Sequence, residues 1–257
     1  MFLIQSSALT NVGLQRNNNE DAYFSSANQG LWVVADGMGG HAAGEVASAI
    51  VIDTIQTSVS KGYSLQSAVQ QSHHDILNAA SNGVGGQGMG STVVALRSQH
   101  TSYEICWVGD SRAYIYIPSK LEGEPADFRQ LTTDHSYVQM LYQSGAISEN
   151  ELEDHPEKNI ITQCLGSVEL PEVQVDTIVG DWPENALMLL CSDGLSDIVR
   201  NSRIYEILAA NTDLNTKNEA LIQAALDAGG KDNITVEIIA SPSRFNLFVH
   251  RMRKLFK

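Results

Sequence analysis

One construction constrains the fold more than any other feature, because the chain contains it twice: an apolar strand that ends in Asp-Gly. Residues 31–35 and 187–191 are short, continuous apolar runs, which is typical of strands buried on both faces. Asp36-Gly37 follows the first run at once, and Asp193-Gly194 follows the second after one serine. A buried strand holds such a carboxylate rigidly, while the glycine lets the backbone turn sharply beside a ligand. Either Asp-Gly taken alone is most simply a turn.

Acidic residues also lie at three other predicted strand ends, in Glu20-Asp21, Gly109-Asp110 and Asp232-Asn233. Carboxylates that converge on one place repel each other strongly unless cations neutralise them. Oxygen ligands without a cluster of cysteines or histidines favour hard ions such as Mg²⁺ or Mn²⁺ over zinc or copper. If these strand ends meet, the sequence therefore predicts a site for divalent cations.

The periodicity of apolar residues predicts a mixture of strands and helices in one domain. Alternation along residues 103–107 and 173–179 is typical of strands with one covered face. Helical spacing appears along 65–76 and 221–228, and the alanine-rich segment 42–55 is expected to form a helix packed against a sheet. Strands lie between pairs of helices, which indicates α+β layers more than a regular βαβ alternation. A chain of 257 residues, 43% of them hydrophobic, can bury a sizeable core.

Charge, cysteine content and hydropathy argue against several classes of protein. Aspartate and glutamate outnumber lysine and arginine by 30 to 16, and a surface with this formal charge of −14 repels nucleic acids. The three cysteines have no CxxC spacing, which argues against a disulfide scaffold and fits a reducing compartment. The N-terminus has no basic region, and no apolar run approaches the roughly 18–20 residues of a membrane span. We expect a soluble, cytoplasmic protein.

Six short motifs follow one another along the chain with compatible spacing. They are Arg16-Asn-Asn-Asn-Glu20-Asp21, Asp36-Gly-Met-Gly-Gly-His41, Gly90-Ser-Thr, Val108-Gly-Asp110-Ser-Arg112, Cys191-Ser-Asp193-Gly-Leu-Ser-Asp197 and Asp232-Asn233-Ile-Thr. In this order they resemble the motif set of the metal-dependent PP2C-type (PPM) serine/threonine protein phosphatases, bacterial branch, over about residues 7–240. The resemblance implies a four-layer α-β-β-α sandwich, with two central antiparallel sheets flanked by helix pairs and metals at one end between the sheets.

The resemblance also implies a two-metal centre. Asp36 would bridge two Mn²⁺ or Mg²⁺ ions, the Gly37 carbonyl would ligate one of them, and Asp193 and Asp232 would ligate the other. Two ions roughly 3.5–4 Å apart can share a water, lower its pKa and aim the hydroxide in line at phosphorus. No side-chain nucleophile would then be needed.

Further acids of the chain match outer positions of that centre. Glu20 and Asp21 match acids that bind the second ion directly or through water. Bacterial members of the family often hold a third, weaker ion, which would map onto Asp110, Asp193 and Asp197. The resemblance thus implies two ions, with room for a third.

Two residues match positions that handle the substrate in the family. Arg16 matches the phosphate-binding arginine, whose planar fork suits phosphate oxygens better than a lysine would; its alternative is a surface salt bridge. His41 matches the candidate general acid that protonates the leaving serine or threonine oxygen; its alternative is a structural histidine at a helix start. The remaining histidines, His135 among them, match no catalytic position and are expected at the surface or in packing.

The resemblance divides the chain into a phosphatase domain, residues 1–240, and a tail, residues 241–257. Residues 134–170 match the family's flap beside the cleft, and the flap's acidic stretch either disfavours acidic phosphopeptides or is a solvated face. Five of the 16 bases follow Ser241, so the rest of the chain has 11 bases against 30 acids and a formal charge of −19. Four interpretations of the tail are open: an amphipathic anchor for an anionic membrane, a docking helix for a partner, a helix packed on the acidic body of the protein, and a frayed segment.

The function we expect is hydrolysis of phosphoserine and phosphothreonine in proteins, opposing a bacterial serine/threonine kinase. One alternative is a two-metal phosphohydrolase of small phosphate esters. Another is a catalytically silent fold that binds phosphate, although the expected aspartates, Arg16 and His41 are all present. Phosphorylated proteins are the expected partners, nucleic acids are not, and a monomer is expected because nothing indicates an obligate dimer.

Overall fold

Two antiparallel β-sheets form the centre of the computed structural model, which describes residues 4–39, 43–121, 123–152 and 155–242. The described strands are β1 (Ser6–Asn11), β2 (Asp21–Ser26), β3 (Leu31–Met38), β4 (Gly90–Ser91), β5 (Val93–Gln99), β6 (Ser102–Val108), β7 (Arg112–Ile117), β8 (Asp127–Gln130), β9 (Asp176–Asp181), β10 (Leu187–Cys191) and β11 (Ile234–Ala240). The described helices are α1 (Ala43–Ser60), α2 (Leu65–Ser81), α3 (Tyr137–Gln143), α4 (Asp193–Ser196), α5 (Asn201–Ala209) and α6 (Leu214–Asp227), with a 3₁₀ turn at Glu149–Glu151.

The strand order of both sheets differs from the order of the strands along the chain. One sheet has the order β1-β11-β10-β7-β8, and the other has the order β2-β3-β5-β6-β9, with the short β4 paired to β3. Every pairing between these strands is antiparallel. The predicted absence of a regular βαβ alternation is therefore confirmed for the described part of the chain.

Three apolar layers hold the sheets and helices together. Trp32 and Ile115 are buried between the two sheets. Val33, the neighbour of Trp32, points to the opposite face of β3 and packs with residues of α1 and α2, while Val236 packs with residues of α5 and α6. Because both faces of β3 are covered, its sequence is a continuous apolar run. This four-layer α-β-β-α arrangement confirms the predicted fold class.

Most of the predicted elements are present, but one strand is displaced. The helix expected over 42–55 is α1, which begins at Ala43 and continues to Ser60. The strand expected over 173–179 begins only at Asp176, and its Val179 is 71% exposed. Val173 and Val175 are buried, as the alternation required, but they precede the strand. β9 lies at the edge of its sheet, and the face of this strand that carries Val179 is exposed.

The register of the strands brings the acidic strand ends to one end of the sandwich. Asp21 at the start of β2 lies directly opposite Asp36 near the end of β3. In the other sheet Cys191, the last residue of β10, lies opposite Arg112 of β7 and Val236 of β11. The segments that carry Asp110, Asp193 and Asp232 therefore leave their strands at the same end. No helix in the described ranges is long and apolar enough to cross a membrane.

Candidate active site

Asp21 joins the two sheets at this end of the sandwich. Its Oδ2 accepts hydrogen bonds from the hydroxyls of Ser192 and Thr235, both at 2.7 Å. Ser192 precedes Asp193 and Thr235 lies on β11, so both donors belong to the opposite sheet from Asp21. The Ser192 hydroxyl oxygen also accepts from the Thr235 backbone N–H at 2.9 Å. The predicted convergence of these strand ends is thus formed by a small polar network.

Glycine at two positions allows the site's backbone segments to approach one another. A Cβ on Gly37 would lie 2.1 Å from the carbonyl oxygen of Gly44 and 2.6 Å from that of Glu20. A Cβ on Gly194 would lie 1.9 Å from the carbonyl oxygen of Asn233. Real Cβ atoms do not occupy such positions, so any side chain here would force the acidic segments apart. Gly37 also donates its N–H to the Glu20 carbonyl at 3.1 Å.

Asn233 holds two segments of the site together, and sequence reasoning assigned it no role. Its Oδ1 accepts from the Glu20 backbone N–H at 2.8 Å, and its Nδ2 donates to the carbonyls of Val12 and Asn18, each at 2.9 Å. The side-chain amide of Asn233, which follows Asp232, therefore holds the segment before β2 in place beside it. Its place in the Asp232-Asn233 motif was the one available signal, because all three contacts span more than 200 residues of sequence.

The carboxyl groups of the site are buried close to one another and disfavour one another's ionisation. Burial raises the pKa of Asp36 and of Asp193 well above the usual range, and each is raised further by nearby carboxylates. Burial raises the pKa of Asp21 and outweighs the hydrogen bonds from the Thr235 and Ser192 hydroxyls, so that this pKa is about 6. Burial also raises the pKa of Glu20, although the positive charge of Arg16 lowers it in part. Without cations, several of these acids would hold protons at neutral pH.

The donor set fits a hard divalent cation. Oδ1 of Asp21 and Oδ1 of Asp193 are buried and have no hydrogen-bond partner in the described ranges. The acidic side chains gathered here offer carboxylate oxygens, which Mg²⁺ and Mn²⁺ prefer as ligands. The side chains are not already arranged around one point: no set of three His, Cys, Asp or Glu among the described residues forms a ready-made cage. Instead Asp36 and Asp193 are within hydrogen-bonding reach of each other, and Arg16 binds Asp232.

Arg16 lies at the mouth of this cluster. Its Nη2 donates to Oδ2 of Asp232 at 2.6 Å, and its side chain is 52% exposed. That hydrogen bond is the main cause that raises the pKa of Arg16, and the charges of Glu20 and Asp193 add to it. The guanidinium is therefore both beside the buried carboxylates and open to solvent, where an anionic ligand would reach it.

A second group of acids lies on the side of the site formed by the β6–β7 turn and α4. Burial, together with the charges of Asp134 and Asp197, raises the pKa of Asp110 to about 7. Arg112 holds Asp134 with a two-pronged contact, Nε to Oδ1 at 3.0 Å and Nη2 to Oδ2 at 2.7 Å. Asp134 is thus engaged by a cation of the chain itself, unlike Asp110.

A small cavity of about 110 Å³ opens between these two groups of acids. Asp193, Asp197 and Asp232 line it together with Lys158 and Lys231. Lys158 donates its Nζ to the Asp197 carbonyl at 3.0 Å and lowers the pKa of that carboxyl, which burial raises. The cavity is a concave, charged opening beside the carboxylates, as a site for a small polar ligand requires.

Comparison with known proteins identifies the family. The family model described as protein phosphatase 2C matches residues 15–228. The chain belongs to the protein phosphatase 2C family. The serine/threonine phosphatase stp of Listeria monocytogenes is 36% identical over 243 residues, which cover 90% of this chain and 93% of that protein. The Streptococcus pneumoniae protein phosphatase PhpP is 34% identical, over 92% of this chain and 97% of that protein.

Solved structures of phosphatases are similar to this chain over nearly its whole length. The Mycobacterium tuberculosis serine/threonine phosphatase PstP/Ppp superposes with a TM-score of 0.82 at 33% identity, covering 94% of this chain and 99% of that one. A structure of the PstP catalytic domain in complex with two manganese ions superposes with a TM-score of 0.80 at 32% identity, covering 95% and 100%. The predicted family and its enzyme class are confirmed.

The structure brings together most of the site residues expected from the sequence of this phosphatase. Glu20, Asp21, Asp36, Gly37, Asp110, Asp193, Asp197, Asp232 and Arg16 all lie at one end of the sandwich. His41 lies outside the described residues, as does the tail from residue 243. The predicted flap, residues 134–170, contains α3 and the 3₁₀ turn. Residues 153–154, in the acidic stretch of this segment, are also outside the described residues.

Proposed function

We propose that this protein hydrolyses phosphoserine and phosphothreonine in other proteins, with two Mn²⁺ or Mg²⁺ ions held by the carboxylates at the end of the sandwich. The observation that carries the proposal is the convergence of Asp21, Asp36 and Asp193, which are buried, mutually repelling and include two unpartnered oxygens. Its curated relatives named serine/threonine phosphatases support the substrate class. The manganese-bound PstP domain supports the metal, while the choice between Mn²⁺ and Mg²⁺ is left to experiment.

The proposed ligands follow from the same convergence. Asp36, Gly37, Asp193, Asp232, Glu20 and Asp21 would hold two ions, and Asp110, Asp193 and Asp197 a third. Bound there, the ions would lower the pKa of a water and so supply the hydroxide that attacks phosphorus. The chain's own contribution is to keep the carboxylates close and fixed: the Ser192 and Thr235 hydroxyls orient Asp21, and the Asn233 amide fixes the backbone of Glu20.

Two side chains of the protein would act on the phosphoryl group and the leaving oxygen. Arg16 would exchange its contact with Asp232 for two hydrogen bonds to phosphate oxygens once a cation neutralises Asp232. His41 would donate a proton to the leaving serine or threonine oxygen. A His41→Ala variant should then slow phosphopeptide hydrolysis far more than hydrolysis of a nitrophenyl phosphate, whose leaving group needs little protonation. An equal loss on both substrates contradicts the general-acid role.

The context of the enzyme is part of the proposal. We expect a catalytic domain over residues 1–240 with a flap at 134–170, acting as a monomer in the cytoplasm and opposing a serine/threonine kinase. The basic tail, 241–257, would contact a membrane surface or a partner. Removing the tail should leave turnover of small substrates intact if it only targets the enzyme, whereas a fall in thermal stability would show that it packs on the domain.

The decisive experiment compares phosphopeptides with small phosphate esters, each with Mn²⁺ and with a chelator. We expect metal-dependent turnover of phosphopeptides, and a loss of about 100-fold or more in Asp193→Asn, which removes one ligand charge without changing side-chain size. The metal-free variant should unfold at a temperature no lower than the wild type, because a repelled buried carboxyl has been removed. No turnover by the wild type with Mn²⁺ favours the silent fold, and turnover of small esters alone favours the other phosphohydrolase.

A further inference from the structure

His135 connects three segments of the chain at the base of the 134–170 segment. Its ring Nδ1 accepts from the backbone N–H of Gly109 at 3.1 Å, and its own backbone N–H donates to the Gly109 carbonyl at 2.9 Å. Its carbonyl accepts from the backbone N–H of Thr162 at 2.7 Å. The residue therefore holds the β6–β7 turn on one side and the part of the flap segment around Thr162 on the other.

The ring of His135 is itself held in one orientation. It stacks on the indole of Trp107, with centroids 6.4 Å apart and planes 26° apart. The Trp107 Nε1–H donates to the Thr133 carbonyl at 2.9 Å, which fixes the indole. Because Nδ1 accepts, the proton lies on Nε2, which is 3.5 Å from Oδ2 of Asp176. The imidazole is thus a fixed hydrogen-bond acceptor for Gly109 and not only a packing group.

The β6–β7 turn, which His135 holds through Gly109, carries Asp110 and is hydrogen-bonded to the segment that contains Asp36. Gly109 has a φ of +104°, and a Cβ there would lie 2.7 Å from the Thr92 side chain. The Thr92 and Ser111 hydroxyls are hydrogen-bonded at 2.7 Å, and Thr92 exchanges hydrogen bonds with the backbone of Asp36 at 2.8 and 3.3 Å. A short chain of contacts therefore runs from the flap base to the backbone of Asp36 and to both sequence neighbours of Asp110.

We propose that His135 is a positioning residue for the metal centre: through Gly109 it sets the place of Asp110 and couples the flap base to the carboxylate cluster. The proposal rests on the proposed function, since Asp110 is a ligand only if the site binds cations. The sequence indicated only a surface or packing role for this histidine. The acceptor on Gly109 distinguishes the two roles, because packing needs the ring but not its Nδ1.

Three substitutions separate the acceptor from the ring. Asn places Oδ1 near the position of Nδ1 and keeps the acceptor but loses the stack on Trp107. Phe keeps the stacked ring but has no acceptor. Gln places its oxygen nearer the position of Nε2, so it loses the bond to Gly109 while remaining polar beside Asp176. Asp110→Asn serves as the reference for loss of the carboxylate that His135 is proposed to position.

The experiment is a Mn²⁺ titration of each full-length variant by calorimetry, with thermal unfolding of the metal-free protein measured alongside. Loss of an outer contact of this kind commonly weakens metal affinity by about 10–100-fold. We expect His135→Phe and His135→Gln to weaken the weakest Mn²⁺ site about tenfold, and His135→Asn to stay within about threefold of the wild type. Thermal stability should follow the ring instead, with Phe at least as stable as Asn.

Each outcome decides the proposal. Affinity that follows the acceptor while stability follows the ring supports it, and so does the absence of any added effect of His135→Gln in the Asp110→Asn background. Equal Mn²⁺ affinity in His135→Gln and wild type overturns it, as does an Asn variant as weak as Gln. If Phe does not fold, the Gln variant decides. If Asp110→Asn binds Mn²⁺ like the wild type, Asp110 is not a ligand and the proposed role of His135 is overturned. If the wild type binds no Mn²⁺, the proposed function itself is contradicted.

Discussion

The two oxygens of Asp21 have different surroundings. Oδ2 accepts from two hydroxyls, while Oδ1 is buried without a partner among the described residues. The hydroxyls of Ser192 and Thr235 come from the opposite sheet, so the orientation of this side chain depends on the packing of the whole sandwich. One oxygen is thereby used to hold the carboxylate in place, and the other is the oxygen that a cation of the proposed centre would bind.

Arg16 offers a test of the site at the scale of one side chain. Because it is half exposed, its ion pair with Asp232 should contribute no more than about 1 kcal/mol to folding. If it binds the substrate phosphate, Arg16→Ala should lower kcat/KM for a phosphopeptide roughly 10- to 100-fold, the equivalent of one or two charge-assisted hydrogen bonds. Arg16→Lys should recover only part of this loss, since an ammonium has no planar fork.

Steady-state kinetics of the two Arg16 variants, with thermal unfolding as the control, make the distinction. An unchanged kcat/KM in Arg16→Ala would mean that Arg16 forms only a surface salt bridge and does not bind the substrate. A large fall in unfolding temperature would instead indicate a structural role, which the exposure of this side chain does not favour.

At the scale of a strand, β11 contains a carboxyl that the proposed chemistry does not use. Glu237 is fully buried, and neither of its oxygens has a hydrogen-bond partner in the described ranges. It lies on the same face of β11 as Ile239, which packs between the sheets. Burial raises the pKa of Glu237 well above its usual range. The folded strand therefore favours the protonated acid.

The sign of the resulting pH dependence follows from that shift. A carboxyl with a raised pKa in the folded state contributes fully below its unfolded pKa of about 4.3, and the contribution is lost as pH rises toward the folded pKa. Glu237→Gln cannot ionise, so its stability relative to the wild type should increase between pH 4.5 and 7.5. A difference of one pKa unit corresponds to about 1.4 kcal/mol, and we expect at least that change.

Urea unfolding of both proteins at the two pH values measures this difference, and all other titrating groups cancel because the proteins share them. The amide of Gln also lacks partners, so the variant should be the less stable protein at pH 4.5. A free-energy difference that does not vary with pH would show that Glu237 ionises in the folded state without cost.

The elements that could be predicted from sequence are those whose surroundings are regular. The run 31–35 indicated a strand covered on both faces, and β3 is covered by helices on one side and by a sheet on the other. The alternation along 173–179 was interpreted as a single strand, but the strand begins only at Asp176. Val173 and Val175 are buried before the strand begins, and Val179 lies on an uncovered edge.

The acids of the site could be predicted because their chemistry is repeated at strand ends. The residues that orient them could not, since their roles arise from contacts between distant segments. Asn233 and Thr235 act on residues more than 200 positions away, and Arg112 binds an aspartate 22 positions away. Gly44 was predicted only as part of a helix, but a Cβ there would lie 2.8 Å from the carboxyl carbon of Glu20.

At the scale of the whole molecule, folding concentrates negative charge. The chain has a formal charge of −14, and the sandwich gathers many of its acids at one end. Burial, with repulsion between neighbouring carboxylates, raises the pKa of Asp110 to about 7 and that of Asp21 to about 6, so protons offset part of this repulsion in the metal-free protein. Protons and divalent cations therefore compete for the same carboxylates.

This competition predicts how stability depends on pH and metal together. Raised pKa values in the folded state mean that the stability supplied by these acids is complete below about pH 3.9 and is lost as pH rises toward 6 and 7. The metal-free protein should therefore lose stability over this range.

Mn²⁺ should restore that stability increasingly as pH rises, because only deprotonated carboxylates bind it and a ligand at 100 times its Kd stabilises by about 2.7 kcal/mol. Thermal unfolding from pH 5 to 7.5, with Mn²⁺ and with a chelator, should give a difference in unfolding temperature that widens with pH. In Asp193→Asn the difference should be small throughout. A constant difference in the wild type would mean that the ions bind away from the buried acids.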